Sequence, residues 1–236
     1  MPTFVEFESF TGLTGNLTLF IVMKNLFNSF FLFCCLGALS SCGGAPEMHT
    51  AEGGQRVIDI YNQHIDTEHY RPTTIRYREY DKLSNKLGYV TFTMIGKSDN
   101  KTYTLQVDID GNNDSAGEIE RSNSSDMMDR FSHLMPNRKA PDFETAHWIS
   151  PSEIDPALIA KQMESAFSQV PNGHTVQSIE YVALTKDNDA GVLKCSFGVN
   201  VTEDGRSTSQ RGKLIVTTYT TIRFDGQPDG TAKINE

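Results

Sequence analysis

Between residues 102 and 109 apolar and polar positions alternate without a break. Tyr103, Leu105, Val107 and Ile109 fall on one parity, and Thr102, Thr104, Gln106 and Asp108 on the other. A period of two over eight residues predicts a strand with one buried and one solvated face. Strand-like segments at 74–80 and 89–95 precede it, and Lys97-Ser98-Asp99-Asn100-Lys101 reads as a hairpin connection. Further upstream the period changes. Val57, Tyr61, His64 and Ile65 recur at helical spacing with Ile58 and Ile60 alongside, and the helix has to stop before Arg71-Pro72.

The second half repeats this order. Asp155-Pro156 supplies an N-cap followed by proline at the first helical position. Ile159, Met163, Ala166, Phe167 and Val170 then form an apolar stripe, which Pro171-Asn172-Gly173 ends. Strands are expected at 177–185, 192–201 and 213–224. Leu193, Cys195, Phe197, Val199 and Val201 share one parity on the second of these, and Leu214, Val216, Ile222 and Phe224 share a face on the third. Glu203-Asp204-Gly205 is a turn signal.

Two meanders, each with one covering helix, define an α+β fold. The expectation is two helix-plus-three-strand antiparallel units, 55–121 and 151–236, related as a tandem duplication because equivalent elements lie roughly 100 residues apart. A connector, 122–150, holds a short helix capped by Ser125 with Met127, Phe131 and Leu134 inward, and the lone Trp148 is placed to pack the units together. The element order is similar to that of secreted β-lactamase-inhibitor proteins and of PepSY-type domains, an analogy of layout that carries no site residues. Each strand set also has a Thr-rich face, available to water or to a partner.

The stretch before the first helix has a different character. Lys24 is followed by an uncharged, Phe- and Leu-rich run from 26 to 39, shorter than the roughly 20 residues a spanning helix needs. A charged start, a short apolar run and small residues describe a secretory signal. The run closes on Leu39-Ser40-Ser41-Cys42, then Gly43-Gly44. This resembles the lipobox of bacterial lipoproteins. The resemblance implies cleavage behind Ser41 and a diacylglyceryl thioether on Cys42, so that acyl chains such as palmitate anchor the protein in a membrane. Residues 23–41 are then the signal peptide and 42–54 the lipidated cysteine with a flexible tether, rich in glycine and ending in Gly53-Gly54. Residues 1–22 carry Glu6 and Glu8 ahead of a complete signal and read as an extension upstream of the true start at Met23.

With residues 1–41 removed, 20 basic and 28 acidic side chains remain. Such a domain has no basic excess to offer nucleic acid, and no nucleic-acid partner is expected. Cys34 and Cys35 leave with the signal and Cys42 is acylated, so Cys195 has no intramolecular disulfide partner and the fold depends on its core.

No catalytic constellation stands out. Asp108, Asp110, Asn112 and Asp114, grouped around Gly111, form the densest run of hard oxygen ligands, of the kind calcium takes. The EF-hand pattern nevertheless fails, because the glycine position holds Asn113 and the twelfth holds Ile119. A polar turn leaving a strand is the simpler reading. His64 and His69 are five apart, which a helix places on different faces, and no HExxH or CxxC occurs. Cys195 shares its parity with Leu193, Phe197 and Val199, which predicts a buried thiol and no nucleophile. Arg76, Arg78 and Lys82 form a small basic patch, and Glu118 and Glu120 are an ordinary pair for so acidic a chain.

The resulting expectation is a non-enzymatic lipoprotein of the bacterial cell envelope, in the outer membrane rather than the inner, that binds a protein or glycan partner. The alternative is an inhibitor or immunity-type lipoprotein that blocks a secreted enzyme. A third class is an enzyme of unrecognised type. A hydroxyl- and Tyr-rich sheet face, including Thr217, Tyr219 and Thr221, favours the first two. A concave cluster of acids and histidines favours the third.

Overall fold

In the computed structural model, helix α1 (Ala51–His64) starts where Thr50 turns its side chain back to accept a hydrogen bond from Gly53 N at 3.1 Å. The structure describes residues 44–122, 142–186, 190–205, 208–211 and 214–235, and everything from Gly44 on belongs to one compact unit. Val57, Ile60 and Tyr61 form the buried stripe of α1, continued by Ile65 just past its end.

The early start of α1 corrects the expectation of a flexible tether for its described part, 44–54. Met48 is fully buried, Ala45 packs on the core, and the glycine pair lies inside the helix. The reason is close approach. A Cβ on Gly53 would stand 2.2 Å from the Glu47 carbonyl oxygen, and one on Gly54 would stand 2.9 Å from Pro156 Cβ. Glycine costs a helix about 1 kcal/mol relative to alanine, but here it lets α1 sit against the preceding segment and against the start of the second helix.

Three long strands follow: β1 (Tyr70–Glu79), β2 (Leu87–Gly96) and β3 (Thr102–Asp110). Two short strands then pair back onto β3, β4 (Asn113–Ala116) and β5 (Glu120–Arg121). A 3-10 turn (Pro151–Glu153) leads to helix α2 (Pro156–Phe167), whose cap Asp155 accepts from Ala157 N and Leu158 N at 3.0 Å each. Strands β6 (His174–Lys186) and β7 (Leu193–Glu203) come next. Then follow β8 (Thr208–Arg211), β9 (Leu214–Thr217), β10 (Thr220–Gly226) and β11 (Ala232–Ile234).

Nine of these strands make one antiparallel sheet in the order β11-β10-β7-β6-β1-β2-β3-β4, with β5 also on β3. The mixed α+β class is as expected, with strand predominating. The two halves are joined, however. β1 pairs with β6, Thr74 to Arg78 opposite Thr185 to Tyr181, so the sheet runs through both. The cores merge as well. A single cluster contains Ile75, Tyr77 and Phe92 from the first half together with Val182, Phe197 and Phe224 from the second.

Within that frame the second half departs from expectation in two places. The strand expected over 213–224 is broken: 214–217 pairs with β8 in a separate two-stranded ribbon, and only Thr220–Gly226 joins the sheet. β7 ends at Glu203 and turns at Gly205 (φ 74), so the earlier residues have no sheet neighbour and pair with each other instead. The apolar stripe of α2 is also narrower than its pattern. Ile159, Met163 and Ala166 are buried, whereas Phe167 and Val170 only flank the core. The short helix expected after Ser125 lies outside the described residues. Trp148 is half-buried beside Arg71. The neighbouring Ile149 ties the connector down, taking a hydrogen bond from Tyr61 Oη at 3.0 Å and donating its N–H to Pro72 O at 2.7 Å.

Candidate interaction surface

Both helices belong to the apolar side of the sheet. The opposite side is built by the other parity of the same strands, and the register sets its side chains in rows. One row runs Thr104, Thr93, Thr74, Thr185 and Lys194 across β3, β2, β1, β6 and β7. The next runs Gln106, Thr91, Arg76, Ala183, Ser196 and Asp225. A third runs Asp108, Tyr89, Arg78, Tyr181, Gly198 and Arg223. Arg76, Gln106, Asp108, Lys194 and Arg223 are exposed, and the threonines and tyrosines of these rows are half-buried.

The middle of this face is held in place by its own contacts. The Arg76 guanidinium carbon lies 4.4 Å from the centroid of the Tyr181 ring. The same ring leans on Gly198, where a Cβ would come within 2.9 Å of it, so the glycine makes room for the tyrosine. Arg78 reaches Glu180 at 3.4 Å, and both side chains are about one-third exposed, so the pair orders the two residues more than it stabilises the fold. Toward the start of β6 the face closes. Asn200 Nδ2 donates to Ser178 Oγ at 3.0 Å and Thr221 Oγ1 donates to Asn200 Oδ1 at 2.8 Å, with Ser178 and Asn200 buried. At the other end Arg71 stacks between the sheet and Phe143, 4.1 Å from its ring centroid.

The sequence candidates fall in several places. Arg76 and Arg78 lie on this face and Lys82 does not share their strand, so the basic patch divides. Thr221 belongs to the face, Thr217 belongs to the β8–β9 ribbon, and Tyr219 lies between the two strands. Cys42 lies outside the described residues.

The four oxygen-ligand candidates are not brought together. Asp108 and Asp110 sit at the exposed end of β3, Asn112 is in the turn that Gly111 (φ 62) makes possible, and Asp114 has crossed to β4. There the Asp114 carboxylate is committed to protein. Arg56 Nη2 donates to it and to Asn112 O, and His64 Nε2 stands 3.8 Å from its second oxygen. Among the described residues no three His, Cys, Asp or Glu side chains are grouped to hold a metal ion. His64 and His69 part company, as their spacing requires: His69 pairs with Asp66 at 2.7 Å at the surface.

Cys195 faces the core. Burial pushes its thiol up to about 12, with the Asp225 charge adding to the effect, so it is not a thiolate nucleophile. Glu79 lies on the other side of the sheet from this face and is a buried acid. It follows Ile75 and Tyr77 on the apolar parity of β1, is buried, and leaves Oε2 without a hydrogen-bond partner. Burial pushes its carboxyl up to about 7. Glu180 acts in the same direction, and Arg78 and Lys82 oppose it. Tyr77, fully buried beside it in sequence parity, is raised well above the ordinary phenol range by desolvation.

No protein-family model, curated protein or solved structure matches this chain. No helix among the described residues is long and apolar enough to cross a membrane.

Proposed function

We propose that this chain is a non-enzymatic lipoprotein of the bacterial envelope, anchored through Cys42, that binds a protein partner on the helix-free face of its sheet. The observation that carries the binding reading is the third row of that face, Tyr89, Arg78, Tyr181 and Arg223, with Arg76 of the neighbouring row over the Tyr181 ring. Tyrosine and arginine are enriched at the energetic centres of protein interfaces: tyrosine buries a large rigid ring with a polar tip at low conformational cost, and arginine brings a planar guanidinium with several donors. A protein partner is favoured over a glycan by the state of Tyr181. Its ring is occupied by Arg76 and rests on Gly198, so it offers no free face for stacking a sugar.

The anchoring part rests on the Leu39-Ser40-Ser41-Cys42 motif. Cys42→Ala should abolish labelling by a fatty-acid analogue and release the protein from the membrane fraction. For the surface, a photo-crosslinking residue at Gln106 or Arg223 should give a discrete protein adduct in intact envelopes, and Arg76→Glu should remove it. Adducts from control positions on the exposed side of α1, such as Asn62, with none from the sheet face, would overturn the assignment. Binding of purified protein to a glycan, lost in Arg76→Glu, would replace the protein partner with a sugar.

A further inference from the structure

The point at which the chain enters the fold restricts how the body can lie on a membrane. Pro46 O accepts from Leu87 N at 2.9 Å, Met48 N donates to Asn85 O at 2.8 Å, and Glu47 bridges to Lys86. The entering segment is therefore clamped to the hairpin that joins β1 to β2. Ala45 already packs on the core. If Cys42 is the acylated residue, as proposed above, only three residue steps separate lipid from body, at most about 11 Å of extended chain. A compact domain of this length has a radius of gyration of about 16 Å. A leash that short cannot let the body turn freely away from the bilayer.

The same hairpin carries what a membrane interface takes up. Tyr80 is 77% exposed, the most exposed large apolar side chain among the described residues. It is held there from behind, since Gly88 passes so close that a Cβ would stand 2.1 Å from Tyr80 N. Tyrosine partitions to the headgroup level, where the ring is in apolar surroundings and the hydroxyl is hydrated. Tyr80-Asp81-Lys82-Leu83-Ser84-Asn85-Lys86 carries two exposed lysines, Lys82 and Lys86, which Asp81 and the neighbouring Glu47 balance in charge. The two long lysine side chains can extend their ammonium groups to lipid phosphates at the level of the Tyr80 ring.

We infer that the β1–β2 hairpin is a membrane foot: Tyr80, Lys82 and Lys86 rest in the headgroup layer beside the lipid on Cys42. The inference depends on the lipoprotein reading. The foot also fixes orientation. The hairpin is at one end of the strands, so the opposite ends of β6 and β7, where Val192 precedes Leu193, lie away from the bilayer.

The test uses the mature lipidated protein, from Cys42 on, in vesicles of phosphatidylethanolamine and phosphatidylglycerol that contain a headgroup-nitroxide lipid. Cys42 is blocked by its thioether and Cys195 is buried, so Tyr80→Cys, Lys82→Cys and Val192→Cys each add one reactive thiol for an environment-sensitive fluorophore. Quenching should be several-fold greater at 80 and 82 than at 192, and the Lys82→Cys protein retains Tyr80. Lipidated, vesicle-bound protein quenched no more at 80 and 82 than at 192 would overturn the foot and leave the lipoprotein reading intact. Absence of lipid on Cys42, read by mass, would overturn both.

Discussion

Ile75 and Leu184 face each other across the seam between β1 and β6, and both are buried. They come from opposite halves of the chain, yet their pairing lies in the middle of the sheet. Cutting between the halves would strip β6 of a full neighbour and leave a long apolar edge exposed. The 150–236 fragment should therefore show no cooperative unfolding transition by circular dichroism, whereas residues 44–236 should show one. A cooperative fragment would mean that the seam contributes little and that the second half has a sufficient core of its own.

The burial pattern of α2 ranks its apolar residues. Met163 is fully buried and Phe167 is half-exposed, its ring edge-on to His49 at 5.8 Å. Met163→Ala should cost about 2–5 kcal/mol, the range for emptying a core position. Phe167→Ala should cost clearly less, although phenylalanine is the larger side chain. Urea denaturation of the two variants gives the order directly, and the reverse order would show that Phe167 is the true core residue.

For Cys195 the expected chemistry is inertness. A buried thiol raised to about 12 should react with a thiol reagent only in denaturant. Cys195→Ser should lower stability by roughly 1–3 kcal/mol, since the hydroxyl enters apolar surroundings. Labelling of the native protein at the rate of a free thiol would contradict the burial of Cys195 in the core.

Much of this fold was legible because its signals are local. The alternation in β3, the Asp155-Pro156 start of α2 and the Glu203-Asp204-Gly205 turn depend on neighbours a few residues away. What was not legible depends on distant partners. Gly53-Gly54 reads as a linker until Glu47 and Pro156 are seen to press on it. The strand over 213–224 has no internal breaker, and its division is decided by where β7 stops. Asp114 reads as a metal ligand until Arg56, 58 residues away, is found to hold it. On the candidate surface Arg76 and Arg78 were visible. Tyr181 was not, because the register irregularity between Ile179 and Tyr181 shifts the parity of β6. Glu79 carried a usable signal, an acid on the apolar parity after Ile75 and Tyr77, and its consequence is electrostatic.

A carboxyl with a folded-state value of about 7 and an ordinary value of 4.5 binds its proton more tightly in the folded protein. Between those limits the folded state holds more protons than the unfolded one, so stability falls as pH rises. The contribution of Glu79 is fully present below pH 4.5 and is lost once pH passes about 7, with a ceiling of about 3 kcal/mol from the size of the shift. The exposed carboxylates Asp66 and Asp229 are lowered, chiefly by side-chain hydrogen bonds from His69 and Thr231, and act in the opposite sense at more acid pH. Comparison with Glu79→Gln removes them from the measurement. The variant should match the wild type near pH 4.5, exceed it in stability at pH 8, and lack the decline between. Denaturation midpoints at several pH values decide the point. A Glu79→Gln protein less stable than wild type at pH 8 would show that the ionised carboxylate is satisfied in the fold, and that the orphaned Oε2 has a partner after all.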